Sequence, residues 1–195
     1  MSNYILILFY SMTGSVRNIA HAIADGIEDS GMEVKIRTVP RVSPNHEASE
    51  KDIPDEGEMY CTLDELAACS GLALGSPTRF GSVAAPLKYF LDSTGEIWSQ
   101  NLLENKPGLA FTSTGSMHGG QEMTLFGIIT FMLHHGMTVI GSPYSIKELH
   151  NTSSGGTPYG PSHVNSKQNI DLSKEEYAIA FQSGKRLANL ASSLS

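Results

Sequence analysis

The chain holds 195 residues with 13 basic and 20 acidic side chains, a formal net charge of −7. That sign opposes a phosphate backbone or an anionic membrane, so it argues against sequence-independent nucleic-acid binding. Hydrophobic residues at 40% and charged residues at 17% give a globular profile and exclude wholesale disorder. The length fits one domain, expected over residues 1–195, under the usual ~100–200 residues per domain. Cys61 and Cys69, the only cysteines, are spaced wrongly for a zinc ribbon or a C-x-x-C pair and suit a reducing cytoplasm. No basic residue precedes the short apolar run 5–9, and no later segment approaches the ~18 apolar residues of a membrane span. Neither a leader nor membrane insertion is expected.

Ile5-Leu6-Ile7-Leu8-Phe9-Tyr10 predicts a strand covered on both faces. Val16, Ile19, Ala20, Ile23, Ala24 and Ile27 then draw one apolar stripe along a helix, with Gly31 placed to cap its end. Residues 33–37 alternate polar and apolar, the pattern of an edge strand. Residues 40–60 turn polar and acidic (Glu47, Glu50, Asp52, Asp55, Glu56, Glu58) and read as a solvated insertion. Thr62 and Glu65 form a capping box before a short helix through Ala68. Residues 71–75 predict a third strand ending at Ser76-Pro77, and Ser82 is placed to cap a helix carrying Leu87, Phe90 and Leu91. Residues 108–112 predict a fourth strand. A helix from about Gln121 to His135 follows, with Leu125, Ile128, Ile129, Met132 and Leu133 as its core face and Gly136 as its stop. Residues 137–140 predict a fifth strand, and 150–172 a long loop. A second capping box, Ser173 and Glu176, opens a last helix expected to bury Tyr177, Ala180, Phe181, Gly184, Leu187, Ala188 and Ala191.

Strands and helices alternate five times, which predicts an α/β fold with helices on both faces of a parallel sheet. With the second strand at an edge, the expectation is a flavodoxin-like three-layer sandwich, five-stranded, in the order 2-1-3-4-5. The ligand site of such a sheet lies at the carboxyl ends of strands 1, 3 and 4. Three loops leave those ends.

The first loop, Ser11-Met12-Thr13-Gly14-Ser15-Val16, lacks the lysine of a P-loop and the further glycines of a dinucleotide fingerprint. It offers three hydroxyls, a turn glycine and a helix N-terminus, a neutral cradle suited to a terminal monophosphate. In the second loop, Ser76 to Ser82, Thr78 and backbone amides suit a polar ring edge, and Phe80 gives a flat apolar surface. Arg79 fits either an anionic ring or a surface ion pair. The third loop, Ser113-Thr114-Gly115-Ser116-Met117-His118-Gly119-Gly120, lets backbone approach a planar ligand closely, and His118 in it reads as solvated. One phosphate cradle beside two ring-binding loops describes a mononucleotide, with FMN the leading candidate.

Residues 10–14, 75–81, 90–95 leading to Trp98, 113–115, 119–122, 134–137 and 155–160 run in order along the chain, and together they resemble the WrbA-type NAD(P)H:quinone oxidoreductases. The resemblance implies two-electron reduction of quinones by NADH or NADPH through FMN, in a homotetramer whose sites include neighbouring subunits. A nicotinamide and a quinone using one apolar slot in turn would give ping-pong kinetics, and the cysteine usage points to the cytoplasm. The resemblance assigns Ser11, Met12, Thr13, Gly14, Ser15 and Val16 to the FMN phosphate and Thr78, Arg79 and Phe80 to the isoalloxazine. Ser113, Thr114, Gly115, Ser116 and Gly119 would line the other edge. His134 matches the flavin-contacting, catalytic histidine, and Trp98 with Phe80 the substrate side. Thr13 stands where the family often has an aromatic residue. The alternative is a flavodoxin-type electron carrier with the same fold and cofactor, which would not oxidise NAD(P)H.

Overall fold

The computed structural model describes residues 3–42, 54, 56–165 and 170–194. One sheet contains β1 (Tyr4–Phe9), β2 (Glu33–Thr38), β3 (Gly71–Arg79), β4 (Ser82–Val83), β5 (Pro107–Thr114), β6 (Thr138–Ile140) and β7 (Ser162–Val164). Its main path, β2-β1-β3-β5-β6, is parallel throughout and is the expected 2-1-3-4-5 order of five strands. Two short strands add to that expectation. β4 folds back antiparallel on the end of β3, and β7 continues the far edge of β5 beyond the point where β6 stops.

The helices are α1 (Ser15–Asp29), α2 (Leu63–Ala68), α3 (Ala85–Asp92), α4 (Gly95–Ser99), α5 (Gln121–His134), α6 (Glu148–Asn151) and α7 (Lys174–Leu194). Alternate residues of β1 feed two cores, as the two-residue period of a strand requires. Ile5, Ile7 and Phe9 pack beneath α1 and α7, while Leu6 and Leu8 pack with residues of α2, α3, α4 and α5. The α1–α7 seam is set by two glycines. A β-carbon on Gly26 would stand 2.0 Å from the Phe181 carbonyl oxygen, and one on Gly184 would stand 2.2 Å from that of Ile23. The two helices therefore touch through main-chain atoms.

Both capping boxes form: Thr62 with Glu65 at α2, and Ser173 with Glu176 at α7. Glu176, 3% exposed, does more than cap. Its carboxylate also accepts from Ser154 Oγ, the N–H groups of Gly155 and Val164, and His163 Nδ1, which tethers β7 to the start of α7. Burial alone would raise its pKa, but the His163 ring and these N–H donors outweigh that and hold it at about 2.

Several expectations need correction. The third strand runs on through Ser76 and Pro77 to Arg79. Ser82 does not cap α3; it lies in β4, and Ala84 precedes the helix with Pro86 in its first turn. The stretch 150–172 is not one loop, because it contains the end of α6 and all of β7. Tyr177 is exposed, its hydroxyl donating to Asp25 Oδ2 at 2.8 Å, and Leu133 is exposed as well. Both miss the core because the apolar surface of their helices is wider than the face the sheet covers. Of the acidic stretch, Glu47, Glu50, Asp52 and Asp55 lie outside the described residues, while Glu58 pairs with Arg17 at 2.6 Å. Among the described residues no helix is long and apolar enough to cross a membrane.

Candidate functional site

At the carboxyl ends of β1, β3 and β5 lies a cavity of about 470 Å³, within the range of sites for small cofactors. Ser11, Met12, Thr13, Ser15 and Val16 form its first side, Pro77, Thr78 and Arg79 its second, and Ser113, Thr114 and Gly115 its third. The three expected loops thus meet around one space.

The first loop closes through Gly14, whose φ of 99° places it in the left-handed region. Gly14 N–H donates to Ser11 Oγ at 3.2 Å, and its carbonyl accepts the first helical bond, from Asn18. No side chain caps α1, and its first turn has no acidic residue. Among the described residues the first N–H groups of the helix therefore have no partner and suit an anion, aided by the helix dipole. The nearby cation, Arg17, is engaged by Glu58.

The second loop is a tight hairpin. Phe80 (φ 53°) and Gly81 (φ 78°) are its two central residues, both left-handed, between paired Arg79 and Ser82. A bulky side chain at positive φ is strained, and here it leaves the Phe80 ring fully exposed. The Thr78 hydroxyl is used up internally: it donates to the Gly119 carbonyl and accepts from Gly81 N–H and Thr124 Oγ1. The Thr78 carbonyl in turn accepts from Arg79 Nη1 at 2.9 Å. Arg79 reaches back to the first loop, with Nη2 3.5 Å from Met12 Sδ, and so spans the mouth of the cavity.

In the third loop Gly115 lines the cavity, and a β-carbon on it would meet no atom within 4 Å, so the space beside it is open. Thr114 Oγ1 donates to the Ser116 carbonyl and fixes the turn. His118 is exposed, as read from the sequence.

Gly14, Phe80, Ser116 and Gly119 lie next to this lining without being part of it. Trp98 and His134 lie farther off. α5 starts beside the cavity and runs away from it for 14 residues, which puts His134 roughly 20 Å along the helix. Trp98, on α4, is at the same distant end, since Thr94 Oγ1 lies 3.2 Å from His135 Nε2.

Sequence reasoning missed Asn165 and Ile170, which complete the lining. Asn165 follows β7; its N–H donates to the Thr114 carbonyl and its Nδ2 to Ser15 Oγ, both at 2.8 Å. Its Oδ1 is buried and has no partner among the described residues. No local pattern in 150–172 marked this position, because only the Glu176 tether brings it to the site. Free helix N–H groups at one end, the open cradle at Gly115 and the idle Asn165 acceptor between them fit a phosphorylated, ring-bearing ligand such as FMN.

Comparison with known proteins agrees with this geometry. Residues 5–151 match the family described as NADPH-dependent FMN reductase. The chain is 38% identical over 203 residues to a protein of Geobacter metallireducens named NAD(P)H dehydrogenase (quinone), covering 97% of this chain and 98% of that one. A protein of Sinorhizobium fredii with the same name is 36% identical, again over 97% and 98% of the two chains. Among solved structures, a WrbA-like flavodoxin from Agrobacterium tumefaciens superposes with a TM-score of 0.71 at 20% identity over the whole of both chains. An archaeal flavodoxin gives 0.64, also at 20%, over 97% of this chain and 99% of that one. These two establish the flavodoxin-like fold.

Proposed function

Because the chain belongs to the NADPH-dependent FMN reductase family, we propose that it is an FMN-dependent NAD(P)H:quinone oxidoreductase. The observation that carries this reading is the cavity, with its uncapped helix start at one end and its open cradle at the other. FMN, when bound, supplies the two-electron chemistry, accepting a hydride from NADH or NADPH and yielding it to a quinone.

The protein's part is to hold and to frame. Ser11 to Val16 present hydroxyls and helix N–H groups to the phosphate. The backbone of Thr78, with Arg79, Ser113, Thr114 and Gly115, borders the ring; Ser116 and Gly119 hold the third loop in shape, Ser116 accepting from both Thr114 Oγ1 and Gly119 N–H. One mouth, between Met12 and Arg79, serves both substrates, so they enter in turn and the kinetics are ping-pong. Phe80, projecting beside that mouth, gives the quinone an apolar face.

Trp98 and His134 reach a site only from another copy of the chain. In this reading the protein is a homotetramer, and a neighbour's Trp98 stacks on substrate while its His134 donates to the electron-rich edge of the ring. The exposed apolar side chains support it: Met123, Phe126 and Leu133 lie along α5, with Tyr159 ring to ring with Phe126 at 4.9 Å. A helix apolar on all sides calls for a second covering surface. The two free cysteines suit work in the cytoplasm.

The test is anaerobic titration of the FMN-loaded protein with NADH and NADPH, followed by steady-state assays on a quinone panel. Flavin bleaching by NAD(P)H and parallel reciprocal plots are expected. A protein that binds FMN yet leaves NAD(P)H unoxidised would instead be an electron carrier. For the contacts themselves, His134→Ala should slow turnover ~10–1000-fold, the range for losing one stabilising donor, and sedimentation should report four copies.

A further inference from the structure

Trp98 and His134 come from different helices, and among the described residues neither side chain makes a hydrogen bond to its own chain. Something else must set their relation. Thr94 precedes α4 and accepts Trp98 N–H on its carbonyl at 3.0 Å. Its buried hydroxyl donates to the Leu91 carbonyl at 2.7 Å, which leaves only lone pairs for His135 Nε2 at 3.2 Å. Nε2 therefore carries the hydrogen of the His135 ring.

The other ring nitrogen, Nδ1, is buried with no partner among the described residues. A second proton there would face no acceptor, so the ring is neutral. Burial, and then the neighbouring His134, hold the His135 pKa below the usual imidazole range. His135 is 7% exposed, and its ring packs on Phe131 with centroids 4.4 Å apart. Its backbone N–H closes the end of α5 on the carbonyls of Phe131 and Met132. One imidazole is thus tied to the helix that carries His134 and to the residue that precedes the helix carrying Trp98.

We propose that His135, through Thr94, is a positioning residue that holds Trp98 and His134 in one fixed relation, so that a copy of the chain presents both together to a neighbour's site. This rests on the function proposed above. The link is a single directional hydrogen bond in a dry setting, where losing one partner strands the other.

The test uses the fact that Trp98 is the only tryptophan of the chain. Thr94→Val removes the acceptor, Thr94→Ser keeps it, His135→Leu removes the donor and His135→Gln keeps an N–H. In the FMN-loaded protein, Thr94→Val and His135→Leu should lower Trp98 fluorescence anisotropy and raise the quinone KM roughly tenfold, the size of one lost buried hydrogen bond. Their kcat should fall, by less than in His134→Ala, while the FMN dissociation constant should stay within about twofold, and Thr94→Ser and His135→Gln should restore anisotropy, KM and kcat. Wild-type anisotropy and KM in Thr94→Val overturn the proposal. So does failure of both conservative variants to restore them. If one disruptive variant does not fold, the other decides. A wild-type protein inactive on quinones would defeat the proposed function alone, since the anisotropy comparison needs no turnover.

Discussion

Gly120 and Gly81 meet backbone to backbone beside the cavity. A β-carbon on Gly120 would stand 2.8 Å from Gly81 Cα, and Gly120 itself has a φ of 96°. The second and third loops come this close because Gly120 has no side chain, whereas a β-carbon on Gly81 would make only an ordinary contact, 3.9 Å from Met123 Cβ. Gly120→Ala forces a residue with a side chain into left-handed backbone, at about 1–2 kcal/mol, and pushes the loops apart. Thermal unfolding should fall by roughly 2–8 °C, and FMN should bind more weakly. Unchanged melting and affinity would show that the contact yields easily.

Gly115→Val separates binding from folding. The added carbons meet open space, so the FMN-free melting temperature should stay within about 2 °C. The same carbons occupy the cradle, and FMN affinity should drop at least about tenfold. Calorimetric titration reads the second effect and differential scanning the first.

Phe80 keeps a strained backbone under an exposed ring. Phe80→Gly should therefore stabilise the hairpin by about 1 kcal/mol, seen as a higher urea midpoint. The quinone KM should rise in the same variant. A stability gain with no loss of quinone binding would remove Phe80 from the substrate side.

Glu176 gives an acid-stability signature. Its pKa is lowered from 4.5 to about 2, so its contribution is complete above 4.5 and is lost as pH falls toward 2. In Glu176→Gln, stability at neutral pH should drop by about 3–5 kcal/mol, because a buried partner of His163 is removed. The difference between the two proteins should shrink as pH falls through that window. A difference constant from pH 5 to 2 would mean that the carboxylate carries no such weight.

The parts legible in the sequence were those set by local pattern. The apolar run of β1, the stripe of α1, both capping boxes and the glycine-punctuated loops all announce themselves within a few residues. What lay hidden depends on distant partners. β7 has three residues and exists because β5 offers an unpaired edge where β6 ends. Asn165 reaches the cavity because Glu176 tethers the segment before it. Leu133 and Tyr177 follow helical spacing yet point outward, since periodicity tells which residues share a face and not how much of that face the sheet covers.

The glycine seam of α1 and α7 acts as a ruler for the cofactor pocket. α1 begins at Ser15, the floor that would receive a phosphate, and α7 begins two residues before Glu176, which fixes the wall bearing Asn165. With Gly26 and Gly184 locked to opposing main chain, neither helix slides without the other, so floor and wall keep one separation. A change of side-chain bulk at that seam, remote from any ligand, would be felt first as poorer flavin retention.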